Sequence, residues 1–160
     1  MKIIRLRALR GPNLWGRHTA IEATISCPQN EHTQADFPGI VARIKTRLPA
    51  IGTLQAAQNA TSIPLPELIA IAALSLQNSA GCPVTFYRCA ATVENGVYQV
   101  VVEYSEEAVG RLAFDLAMVL YQAARDDQPF DAQEAIARLR ALDEDERLGP
   151  STGGLPSWDS

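Results

Sequence analysis

Two histidines, three cysteines and a scatter of carboxylates are the groups with which this chain could do chemistry. His18 and His32 are too few to serve both a metal centre and a catalytic base. Cys27 and His32 flank a short loop, but two ligands do not make a metal site, which needs several converging donors. Cys82 and Cys89 fall outside any CxxC pair and read as small hydrophobes. There is no GxxxxGK[ST] loop and no GxGxxG after a strand, so no phosphate cradle is legible, and with so few histidines a serine or cysteine nucleophile has few candidate bases. Glu106-Glu107 and Asp126-Asp127 are adjacent carboxylates, and adjacent helical positions do not face each other. They read as a helix start and a helix end.

What remains is a constellation suited to binding. Arg10, Asn13, Trp15, Arg17 and His18 surround the turn at Gly11-Pro12-Asn13. Trp15 either plugs the core from that loop or offers a flat face to a guanidinium or a peptide plane. Glu103 ends a strand beside Glu106 and Glu107, a cluster able to pair arginine side chains two-pronged. Charge is split along the chain. Residues 1–48 carry eight Lys/Arg against Glu22, Glu31 and Asp36, and residues 105–147 carry eleven Asp/Glu against five Arg. The split is either two solvated faces of opposite sign or a surface for a ligand bearing both charges. A pI near 5.2 and the lack of a long basic run or an aromatic-basic motif argue against nucleic acid.

These residues must be positioned by a fold, and the fold is legible in periodicity. Residues 2–9 alternate, with Ile4, Leu6 and Ala8 opposite Arg5 and Arg7, a strand with one wet face. Residues 18–27 alternate again, with Ile21, Ala23 and Ile25 against Glu22 and Thr24, until Pro28. Ile40, Val41, Ile44 and Leu48 share one face of a helix over 37–48. Residues 50–63 fit a helical piece without a charged face. Pro66 opens a helix that is apolar on nearly every side between Leu68 and Leu76, and Gly81 with Pro83 ends it. A strand over 84–90, an Asn95-Gly96 turn and a Val-rich strand over 97–104 follow. Ser105 caps a helix with Glu106 and Glu107 in its first turn and a stripe of Leu112, Leu116, Val119, Leu120 and Ala123. Asp131 and Glu134 form a capping box for the last helix, with Ile136 and Leu139 inward and the DEDER run at 143–147 exposed.

The order β-β-α-α-β-β-α-α implies an α+β fold, an antiparallel sheet of about four strands with helices packed on one face. The expected layout is one domain over 1–148 and a tail or linker over 149–160. No run approaches the ~18 apolar residues of a membrane span. Arginines interrupt the first apolar run, and three unpaired cysteines suit reduced thiols, so the expected location is the cytoplasm.

Several stretches also resemble a known family. LRGPNLW, LSLQNSAGCPVTFYR, GVYQVVVEYSEEAVGRLAFDLA and RLGPST are similar, in order over about residues 1–152, to the N-terminal domain of cyanophycin synthetases. The resemblance implies a module without catalysis of its own. It would hold a growing arginyl-polyaspartate chain, the storage polymer cyanophycin, near an ATP-grasp domain and a Mur-ligase-like domain, present in cis or trans. ATP and Mg would belong to those domains, and no cofactor is expected here. Some family members carry a His-x-x-Glu-His metal motif on the buried helix; the aligned positions here are Glu67, Ala70 and Ile71, so a zinc hydrolase is not expected. The ligase domains are absent from these 160 residues, which implies either an excised domain or a truncated relative. The implied partners are cyanophycin or Asp-Arg oligomers and the ligase domains, with homo-oligomerisation left open. The competing expectation is a docking or oligomerisation domain, or an accessory subunit of the synthetase, without polymer affinity. Arg10, Asn13, Trp15, Arg17, His18, Glu103, Glu106 and Glu107 are the polymer-binding candidates from charge and turn position.

Overall fold

Strand β1 (Lys2–Leu9) opens the chain, and it pairs antiparallel with β2 (Ala20–Ser26). A computed structural model describes residues 2–9, 19–27, 37–49 and 65–148. Strand β3 (Tyr87–Ala91) and strand β4 (Val97–Glu103) make a second hairpin, and β4 lies beside β2. The sheet order is β1-β2-β4-β3. Gly96, at φ +80, gives the hairpin its turn, a backbone state that costs glycine little. The expected α+β architecture and element order are therefore found, with four helices: α1 (Phe37–Arg47), α2 (Leu65–Ser79), α3 (Glu107–Arg125) and α4 (Ala132–Leu148).

Alternation divides the sheet into two unlike faces. Ile21 opposes Val102, Ala23 opposes Val100 and Ile25 opposes Tyr98, and these side chains face the helices. Ile3, Leu6 and Ala8 extend that inner face on β1. The expected set was Ile4, Leu6 and Ala8. The register slips between Ile3 and Arg5, leaving Ile4 as an extra, exposed residue. A bulge of this kind returns the following residues to their proper faces, so Arg5 and Arg7 still point outward.

Helix α2 crosses the inner face against β3 and β4 and also touches α3 and α4. Residues from Leu65 to Gln77 are buried apart from Glu67, which explains why no polar stripe is visible in this stretch. It ends in a Schellman arrangement: Cys82 N–H reaches Gln77 O and Gly81 N–H reaches Asn78 O, with Gly81 at φ +96. Helix α3 packs on α2, α1 and β2. Gly110 lets it approach the sheet end closely, since a Cβ there would fall 2.5 Å from Tyr104 Cβ. From α1, Arg43 Nε donates to Ala124 O and Arg47 Nε to Gln128 O, covering carbonyls left open where α3 ends. Helix α4 lies on α2 and α3, with Ala135 and Leu139 in the core. Asp131 Oδ1 accepts Glu134 N–H at 3.0 Å, which is one half of the expected capping box; the Glu134 side chain makes no return bond. None of the described helices is long and apolar enough to cross a membrane.

Four local expectations change. The strand expected over 84–90 starts at Tyr87, because Glu103 Oε1 takes the Thr85 and Phe86 N–H groups at 2.8 and 3.0 Å in place of a strand partner. Ser105 is not the cap of α3: the chain stays extended through Glu106, which occupies the N-cap with no side-chain hydrogen bond. Val119 is 49% exposed rather than inward. The DEDER run is not wholly exposed, for Asp143 is buried. The helical piece expected over 50–63 and the tail over 149–160 lie outside the described residues.

Candidate binding surface

The strand ends bring the two flanks of the first turn and the approach to α3 to one corner. Tyr104 N–H donates to Thr19 O at 3.0 Å, Thr19 Oγ1 donates to Tyr104 O at 2.7 Å, and Tyr104 OH reaches Leu9 O. The ends of the first turn, Leu9 and Thr19, are thereby tied to the approach to α3. Arg10, Asn13, Trp15, Arg17 and His18 themselves lie outside the described residues. Of the three acidic candidates, Glu103 is engaged with the Thr85 and Phe86 amides, and Glu107 pairs with Arg111 at 3.1 Å one helical turn on. Glu106, at the N-cap, accepts Gly110 N–H through its carbonyl at 2.9 Å, and its side chain makes no cap hydrogen bond.

A second set of charged groups is assembled by register alone. On the outer face of the sheet Arg7 opposes Glu22, Glu22 opposes Val101, and Val101 opposes Arg88. One row thus crosses all four strands with a cation at each end and an anion between. Arg7 Nε meets Glu22 Oε1 at 2.6 Å; the Glu22 side chain is 7% exposed while that of Arg7 is 52% exposed. In the next row Arg5 opposes Thr24, and Thr24 opposes Gln99. Arg5 and Arg88 are exposed, and Thr24 and Gln99 are half-buried. The face therefore offers guanidinium groups, amide and hydroxyl partners and one held carboxylate. Strand spacing sets the Arg7 and Arg88 backbones about 14 Å apart. Such a surface can engage carboxylates in two-pronged fashion at more than one point along an extended ligand. Sequence reading had seen Arg5, Arg7 and Glu22 as wet-face residues, but Arg88 joins them only through the register of β3 on β4.

A third cluster sits where the family's metal motif would fall. Tyr87 OH donates to Glu67 Oε2 at 3.2 Å, and Cys89 lies two residues along β3 on the same face. Burial, and then the Glu67 charge, push the Tyr87 hydroxyl up to about 12. The same two causes push the Cys89 thiol up to about 12. A thiol so raised is protonated at neutral pH and is a poor nucleophile. Ala70 and Ile71 carry no donor and are fully buried. Among the described residues no group of three His, Cys, Asp or Glu side chains could hold a metal ion.

Comparison with known proteins places these features in context. A family model described as the cyanophycin synthase-like N-terminal domain matches residues 23–125, from β2 to the end of α3. The chain is 32% identical over 177 residues to a cyanophycin synthetase of Trichormus variabilis, with 97% of this chain aligned. It is 30% identical over 169 residues to a cyanophycin synthetase of Geminocystis herdmanii, with 95% aligned. The chain spans 19% of the length of each of these curated relatives.

Proposed function

Because the chain belongs to the cyanophycin synthase-like N-terminal domain family, we propose that it holds the arginyl-polyaspartate chain for ATP-dependent ligase domains and makes or breaks no bond itself. The observation that carries this reading is the outer-face row, in which Arg7 and Arg88 flank Glu22 across four strands. A polymer with a carboxylate and a guanidinium in every repeat meets both signs there. Arginine carboxylates would face Arg5, Arg7 and Arg88, and arginine heads would meet Glu106 at the corner. The turn residues Arg10, Asn13, Trp15, Arg17 and His18, with Glu103 and Glu107, are the further contact candidates that charge and chain position supply.

Many modest contacts of this kind add through effective concentration, so affinity should rise with oligomer length. Their exposure makes them salt-sensitive. Calorimetric titration of the chain with soluble Asp-Arg oligomers tests this. The expected result is saturable binding that falls steeply with salt and weakens at least tenfold in an Arg5→Gln/Arg7→Gln variant. Arg17→Ala and Glu106→Ala should each weaken it less. Unchanged affinity in the double arginine variant overturns the outer face as the site. Absence of any binding by the intact chain leaves the docking reading, in which the domain serves the ligase domains as a scaffold.

A further inference from the structure

We propose that the groove between α3 and α4 is a second subsite that takes a single Asp-Arg unit by its arginine side chain; the proposal deepens the polymer-holding reading and rests on it. The groove encloses about 210 Å³. Pockets that enclose a whole drug-sized ligand start at about 300 Å³, so this one is sized for a side chain. Its walls are apolar: Leu116 and Val119 from α3, Phe130 from the connection, and Ala135 from α4. Val119 explains little as a surface residue, being a large apolar side chain 49% exposed on a helix whose other face is dry. As a groove wall it would pack against the methylene stem of an arginine.

The rim supplies the charges. Asp131, Glu134 and Arg138 line the same groove. Asp131 spends one oxygen on the Glu134 amide. Glu134 and Arg138 stand four residues apart in the order that favours a helical ion pair, yet neither charged head has a polar partner among the described residues. Both side chains are exposed at the groove. A guanidinium entering along the apolar walls would meet the Glu134 carboxylate and the second Asp131 oxygen. The carboxylate of the same arginine would lie within the reach of Arg138. The complementarity is to a zwitterion with an apolar stem, which describes the repeating unit rather than a bare cation or a bare acid.

Helix α4 packs on α2 and α3, whereas the charged row lies on the sheet face turned away from the helices. The two surfaces are therefore separate, and a dipeptide can fill one without touching the other. The test uses the intact chain, the β-Asp-Arg dipeptide and methyl NMR. Saturable shifts at the Val119, Leu116 and Ala135 methyls are expected, at least tenfold weaker in Glu134→Gln and in Arg138→Gln. Both substituted side chains are on the surface of α4, and circular dichroism checks that the fold is kept. An Asp-Lys dipeptide should bind at least fivefold more weakly, because an ammonium cannot bridge two carboxylates as a fork. Groove methyls that stay still at saturating dipeptide, or that titrate in both variants as tightly as in the unsubstituted chain, overturn the subsite. If long oligomers bind at the Thr24 and Gln99 amides while the groove stays empty, the subsite fails and the polymer-holding reading stands. If the dipeptide fills the groove while no oligomer binds anywhere, the ligand chemistry of the groove stands and polymer holding fails.

Discussion

The two faces of one sheet solve burial in opposite ways. On the inner face Ile21, Ala23, Ile25, Val100 and Val102 meet α2 and α3. On the outer face the same strands bury Glu22 and Val101 within a row of charged neighbours. The first arrangement gains stability from apolar area and tight packing. The second holds a carboxylate at 7% exposure with an arginine on it, which contributes little net stability and fixes where charges stand. The inner face therefore keeps the fold, and the outer face sets the positions of charge.

Substitutions can sharpen or break that contrast. The largest loss should come from Phe114→Ala, since Phe114 is fully buried in the inner core: about 3–5 kcal/mol, read as a lower denaturant midpoint with unchanged slope. Gly110→Ala should cost about 2 kcal/mol despite alanine's better helix propensity, because its Cβ would overlap Tyr104 and force α3 off the strand end. On the outer face Arg7→Gln should cost only about 1 kcal/mol, because Arg7 is half exposed and Glu22 keeps a further interaction. A loss as large as that of Phe114→Ala would show that the charged row is structural and erase the distinction between the faces.

Alkaline pH probes the boundary between them. Cys89 and Tyr87 are held neutral in the fold up to about 12, against ordinary values of 9.0 and 10.0. Below pH 9 both are protonated folded or unfolded, so their contribution is complete. Between pH 9 and 12 the unfolded chain loses protons that the folded chain keeps, and stability falls as pH rises. Glu67→Gln removes the lesser cause and leaves burial, so the folded thiol and phenol should titrate at somewhat lower pH. Phenolate absorbance and thiol alkylation rates against pH measure the shift, and unchanged profiles would remove Glu67 from the account. The smallest effect should be Arg111→Gln on the half-exposed pair with Glu107, about 0.3–0.5 kcal/mol in thermal unfolding.

Element order was legible because each segment carries a clear period: two for residues 20–26 and 97–103, 3.6 for residues 37–47 and 107–125. Helix α2 was legible from the opposite signal, apolar residues on all sides between a proline and a glycine. Register was not legible. Nothing in KIIRLRAL says that Ile4 rather than Ile3 leaves the inner face, since the bulge is settled by how β1 meets β2. For the same reason Arg88 could not be placed with Arg7, 81 positions away in sequence. Val119 fits a 3.6 period as well as its neighbours do, and its exposure depends on where α4 crosses α3. Asp143 sits in an acidic run that reads as solvated, and its burial reflects a tertiary contact. Of the candidate site, Glu106 was found by residue type and helix position, while the use of Glu103 on two loop amides needed the β4 end and the 84–86 segment to be seen together.

The bulge at Ile4 also bears on crowding. β1 is an edge of the described sheet, and an unbroken edge invites a neighbouring molecule to add its own strand. Here the run of edge amides is kinked near its start, and Lys2, Arg5 and Arg7 would confront the same cations on a second copy. Filament growth by edge-to-edge stacking is thereby discouraged, which suits a protein whose proposed ligand would itself gather many copies along one strand of polymer.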